Sequence, residues 1–142
     1  MQSFLPYSDF KKSAQVLDYK RLGKQRVEAL QIYNCLMNPN RWKNHPCIKM
    51  WNGYMGALAE YHNIMIEEWI KRGYVNNMSY ILCQEPYDYP WWLGDENFHR
   101  AMRSRLIEKD EKYYLPLFPN DKGFNDSKYL WPLNDSKSFK II

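Results

Sequence analysis

Asp18-Tyr19-Lys20-Arg21-Leu22-Gly23-Lys24-Gln25-Arg26-Val27-Glu28-Ala29-Leu30-Gln31 reads as a basic helix with one acid inside it. At about 100° per residue, Lys20, Lys24, Glu28 and Gln31 share one face. Leu22, Ala29, Leu30, Tyr33 and Leu36 share the opposite face, and Arg26 falls within that apolar arc. A guanidinium cannot shed its charge and is rarely buried alone. Arg26 therefore needs either a buried acceptor, as in a structural ion pair, or a pocket to point into.

The neighbouring segments extend this helical reading in both directions. Ser8 or Asp9 can cap a short helix over about 9–17. The basic helix runs to about Met37, where Asn38-Pro39-Asn40 stops it, because proline cannot continue the hydrogen-bond ladder. A loop with Arg41, Trp42, Lys43 and His45 leads to Pro46, which suits a first helical turn. Over about 47–72, Trp51, Tyr54, Met55, Leu58, Tyr61, His62, Met65 and Trp69 form a stripe of helical period. Gly73 caps it after Lys71 and Arg72, cations that the end of a helix dipole favours. Residues 74–94 read as irregular, broken by Pro86 and Pro90. Asp95 caps a further helix over about 95–109, and Asp110 starts a short turn carrying Tyr113 and Tyr114. Beyond Leu115, prolines and Gly123 predict an irregular tail pinned by aromatic residues. The expectation is all-α: residues 1–142 as a single compact domain of three to four packed helices, with long aromatic-rich loops.

The composition limits the function classes. The 142 residues carry a net charge of +4, which permits a nucleic-acid partner without requiring one. Aromatic residues make up 17%, including 12 Tyr and 6 Trp, which fill cores and also stack on bases. The six glycines form no phosphate-binding loop. Cys35, Cys47 and Cys83 are an odd number and far apart, which suits a reduced protein better than a disulfide scaffold. With His45, His62 and His99 they lack the close pairs of a zinc site, so no metal and no cofactor is expected. No charged-then-apolar leader and no long apolar window is present, so a cytoplasmic location is expected (the host cytoplasm if the protein is viral).

Several residues could carry chemistry, each beside a plainer role. Glu28, one turn beyond Lys24, would stay ionised among cations and serve as a stabiliser or proton acceptor, or it is an ordinary i,i+4 pair. His62 on the apolar stripe reads as a satisfied core histidine or a functional group. His99 and Arg103, with Arg100, Arg105 and Lys109, make a second basic surface able to hold phosphate, or a solvated helix face. His45 before Pro46 sits at an anion-binding helix start or in a capping loop. Tyr87-Asp88-Tyr89-Pro90-Trp91-Trp92 could stack on a base, or lid a core. No Ser-His-Asp order, H-E-x-x-H or G-x-S-x-G is present. That leaves a lysine or the N-terminal amine as nucleophile, since α-amines titrate near neutrality and form Schiff bases with sugar aldehydes.

Taken in order, Met1 to Pro6, Leu17 to Gln31, His45-Pro46 with Met50-Trp51 and Gly53-Tyr54, Lys71-Arg72-Gly73-Tyr74, Pro90 to Gly94, and Phe98-His99 through Arg103-Ser104 to Lys109-Asp110 resemble the pyrimidine-dimer DNA glycosylase family. The founding members of that family are small all-helical phage repair enzymes. The likeness is strongest to a bacterial and phage branch beginning Met-Gln-x-Phe-Leu-Pro. The resemblance implies an enzyme that kinks duplex DNA and flips a base. Its N-terminal amine attacks the sugar C1′, a helix glutamate assists, and the Schiff base leads to strand cleavage. Aligning Tyr19 on the family tyrosine puts Arg21 where that glutamate stands, and a shift in register puts Glu28 there instead. Gln2 should hinder removal of Met1, so the nucleophile implied is the Met1 amine. Lys20, Arg21, Lys24 and Arg26 would hold phosphates, with His45 beside them. His99, Arg103 and Lys109 would form a second contact surface, and Trp91 and Trp92 would lie near the extruded base. Double-stranded DNA is the implied partner, with no membrane contact and a monomeric chain. The alternatives are a catalytically silent relative that binds nucleic acid, a nucleotide or a protein, and an enzyme on a small nucleotide using His45, Arg26 and Glu28.

Overall fold

The computed structural model describes residues 1–141. Six helices follow in order: α1 (Phe10–Val16), α2 (Tyr19–Met37), α3 (Pro46–Lys49), α4 (Met55–Lys71), α5 (Glu96–Lys109) and α6 (Glu111–Tyr114). A 3-10 turn at Phe124–Ser127 precedes a hairpin of β1 (Leu130–Leu133) and β2 (Ser138–Ile141). The fold is mostly helical but not purely so, because the tail expected to be irregular pairs antiparallel, Trp131 opposite Lys140 and Pro132 opposite Phe139. The hairpin is held by what it covers. Phe139 packs on Trp91 and Phe98, and Trp131 is buried beside His45.

Side chains close the helix starts as their chemistry predicts. Asp9 accepts from Lys12 N, Asp95 from Phe98 N and Asp110 from Tyr113 N. The single helix expected over 47–72 is two. Gly53, at φ +88°, turns the chain between α3 and α4. The far end of the chain binds the carbonyls at this break, since Asn134 Nδ2 donates to those of Lys49, Met50 and Asn52.

α2 packs along α4. Its buried line is Leu22, Gln25, Ala29, Ile32 and Cys35, and it meets Leu58, Tyr61 and Met65 of α4 in one core with Trp51, Trp92 and Phe98. The polar residue inside this line is Gln25, one position before Arg26. Arg26 is half-buried, stacks 4.1 Å over the Trp69 ring and donates to Asn76 Oδ1 at 3.0 Å. No carboxylate pairs with it among the described residues, so the acceptor expected for it is the Asn76 amide oxygen rather than half of an ion pair. His62 is buried, with Nδ1 on Asn63 Oδ1 and Nε2 without a partner among the described residues. No helix is long and apolar enough to cross a membrane among the described residues.

Candidate active site

The site begins with a segment that has no secondary structure of its own. Residues 2–5 are buried, so their backbone groups need partners. Gln25 supplies two of them. Its Oε1 accepts from Phe4 N at 2.9 Å and its Nε2 donates to Gln2 O at 3.0 Å, standing in for a neighbouring strand. Tyr61 Oη donates to this same Gln25 Oε1 or to Phe4 O, at 2.5 and 2.9 Å. On the other side Trp51 Nε1 donates to Ser3 Oγ, which also contacts Cys47 Sγ. Burial pushes the Cys47 thiol up to about 12, so it is an inert filler beneath the site.

This anchoring delivers the start of the chain to α2. Glu28 Oε2 lies 3.8 Å from the Met1 amine and accepts from Gln2 N at 2.6 Å. Oε1 has no partner among the described residues. His45 caps α3, with Nδ1 accepting from Cys47 N, which places the proton of the neutral ring on Nε2. Burial and the positive Met1 amine hold His45 below the ordinary histidine range, against the opposing pull of Glu28.

Met1 and Glu28 stand in the wall of a cleft of about 890 Å³. The exposed face of α2 forms its length, from Tyr19 through Lys20, Lys24 and Gln31 to Asn34. Trp69 closes one end, and Asn40, Arg41 and Trp42 close the other. Gly23 lets α2 approach that end wall, since a Cβ there would stand 3.0 Å from the Trp69 ring. A second recess of about 290 Å³ adjoins the same two residues and adds Gln2, Arg21 and Lys109 to Lys20 and Lys24. Lys20, Lys24 and Lys109 are exposed and have no carboxylate partner among the described residues. Arg21 is tied to Asp18, and burial of that carboxyl is outweighed by its bonds to Tyr114 and Arg21, which leave it below the ordinary range.

Met1, Glu28, Lys20, Arg21, Lys24 and Lys109 are therefore gathered around one spot. Five other expected site residues stand elsewhere. Arg26 lies on the Trp69 and Asn76 side of α2 and does not line the cleft. His99 is buried, accepting from Gly94 N and contacting Leu5 O, and burial depresses its pKa. Arg103 is buried with donors on Asp121, Glu96 and Pro6 O. These two build the core, not a second contact surface. Trp92 has no exposed surface and donates to Met50 O, while Trp91 is spent on Asn134 and Phe139, so neither reaches the cleft. Gln25 and Trp42 escaped the sequence reading. The i, i+3, i+7 spacing of Leu22, Gln25 and Ala29 carries the signal for the first, whereas nothing in the loop around Trp42 marks the second.

A family model described as pyrimidine dimer DNA glycosylase matches residues 1–82. That span holds α1 to α4 and the whole lining of the large cleft. No curated protein and no solved structure matches the chain.

Proposed function

The chain belongs to the pyrimidine dimer DNA glycosylase family, and from that premise we propose that it removes a damaged base from duplex DNA and cleaves the strand as an AP lyase. The observation that carries the reading is the Met1 amine 3.8 Å from Glu28, in a recess shared with Lys20, Lys24 and Lys109, which have no carboxylate partner among the described residues.

In this mechanism the neutral amine of Met1 attacks C1′ of the damaged nucleotide. The N–C1′ bond forms, the glycosidic bond breaks, and its electron pair leaves with the base, which takes up a proton. The attached nitrogen gives up one proton, the C1′–O4′ bond breaks as O4′ takes a proton to become a hydroxyl, and a protonated Schiff base results. Glu28 then accepts the C2′ proton, a C=C bond forms, and the C3′–O3′ bond breaks to release the phosphate. Gln2 N–H holds Oε2 of Glu28, which leaves Oε1 for proton transfer. Lys20, Lys24, Arg21 and Lys109 contact backbone phosphates, and the protein acts as a monomer. The backbone nitrogens of Met1 and Gln2 lie 3.8 and 2.6 Å from the same Glu28 oxygen, so the amine would face this carboxylate with or without removal of Met1.

The test is borohydride trapping of untagged protein on duplex DNA containing an abasic site, beside undamaged duplex. A covalent adduct mapped to the N-terminal residue is expected. Retention of DNA at low salt without an adduct would overturn the lyase mechanism and leave a binding module.

A further inference from the structure

Between α4 and α5 the chain lies against α4 as an extended strap. Asn63 of α4 grips it. Its Oδ1 accepts from Ile81 N at 2.8 Å and its Nδ2 donates to Ile81 O at 2.7 Å. Both backbone groups of one residue point the same way where a chain is extended, so Asn63 occupies the place of a neighbouring strand. The groups of Tyr80 and Leu82 then point away from Asn63, and none of these four has a hydrogen-bond partner among the described residues.

Both residues are exposed, Tyr80 by 55% and Leu82 by 78%, while Ile81 and Cys83 are half-buried. Half of a β-ladder therefore stands open to solvent beside two apolar side chains. Native edges are commonly blunted with lysine or proline. Residues 73–85 hold no lysine, arginine or proline.

Charge around the strap distinguishes its possible occupants. No lysine or arginine occurs from Gly73 to His99, although the whole chain carries +4. Glu85 and Asp88 follow the strap and have no cation partner among the described residues. Glu60 lies at the same end. Its Oε1 accepts from the Tyr87 and Tyr89 hydroxyls at 2.5 and 2.6 Å, and its Oε2 has no partner among the described residues. Burial, with Glu60 and Glu85 nearby, pushes the Cys83 thiol up. A second copy of the strap, paired with Tyr80 opposite Leu82, would set Asn77 opposite Glu85 and bring no cation.

We propose that Tyr80–Leu82 is a β-addition site for an extended segment of a partner protein, with an apolar centre and a lysine or arginine toward the Glu85 end. The backbone of that segment bonds Tyr80 and Leu82, its apolar side chains cover theirs, and its cation meets Glu60 and Glu85. None of the residues from Tyr80 to Glu85 lines the Glu28 cleft, so this site is independent of the chemistry there.

The probe is a phage-displayed library of random nonapeptides selected on the full chain, with the best peptide synthesised for fluorescence polarisation. Enriched peptides are expected to alternate apolar residues and to carry lysine or arginine at one end. N-methylation of the peptide backbone at every second residue should weaken binding about three- to tenfold per bond removed, and methylation at the intervening residues should change little. Bound peptide should slow amide exchange of Tyr80 and Leu82 by about tenfold or more and leave Ile81, already bonded to Asn63, unchanged. Glu85→Lys should weaken a cationic peptide about fivefold without moving the melting temperature. No enriched peptide, equal losses in both methylation registers, or unaltered exchange at Tyr80 and Leu82 would each overturn the proposal. So would a wild-type dimer that Leu82→Lys dissociates, because the edge would then belong to a second copy.

Discussion

Glu28 has one oxygen held by Gln2 N and the other without a partner among the described residues, so under the proposed mechanism its substitutions separate chemistry from folding. Glu28→Gln retains an acceptor for Gln2 N but cannot take a proton. Trapping on abasic DNA should fall by roughly 10²- to 10⁴-fold, the usual contribution of a positioned acid or base, with melting temperature little changed. Gln25→Leu should do the reverse in part. It strands Phe4 N and Gln2 O in the core, and the loss on denaturant unfolding should be on the order of 2–4 kcal/mol. The acid among the cations was legible in the sequence. Its meeting with residue 1 was not, because that contact depends on side chains from α2 and α4 gripping a segment without periodicity. His99 and Arg103 misled for the opposite reason. Their i,i+4 spacing is visible, but Asp121, Leu5 and Pro6, which bury and satisfy them, lie far away in sequence.

At the scale of elements, α2 divides its labour between a packed face and a cleft face, and Arg26 belongs to neither. It rests on Trp69 without an acid partner among the described residues, so Arg26→Met should cost only about 1–2 kcal/mol, the worth of a half-buried cation–π contact and one hydrogen bond. A loss of several kcal/mol on chemical denaturation would mean a buried ion pair that the structure does not contain. The start of α4 depends on a missing side chain. A Cβ at Gly56 would stand 2.4 Å from the Tyr87 ring, whose hydroxyl bonds Glu60 at 2.5 Å. Gly56→Ala should therefore loosen the 74–94 segment, with a stability loss of about 1–3 kcal/mol and earlier proteolysis there. Helix boundaries were largely readable because caps and glycines are local signals. The α3–α4 break and the hairpin were not, since each relies on Asn134 or Phe139 meeting residues more than forty positions away.

For the whole molecule, His45, His62 and His99 all titrate below their ordinary value, each chiefly through burial. The unfolded chain then binds more protons than the folded one around pH 6.5, so stability is full above that pH and falls as the pH drops through and below it. Protonation of His45 also removes the Nδ1 acceptor that caps α3. Melting temperature measured from pH 7.5 to 5 should fall, before the ordinary carboxylate range is reached. If Lys20, Lys24 and Lys109 hold phosphates, DNA affinity should drop steeply with salt, and each Lys→Ala change should shallow the log–log slope by about 0.9. The sequence by itself determined the helical core, its caps, the basic face of α2 and, by resemblance, the family. These follow from local periodicity, charge and motif, which need no knowledge of distant residues. Only the tertiary structure decided that Glu28 is the acid beside Met1, that Lys109 joins Lys20 and Lys24, and that His99, Arg103 and Trp92 are interior. Each of those outcomes depends on which segments share buried space, and burial is a property of the packed chain rather than of any stretch along it.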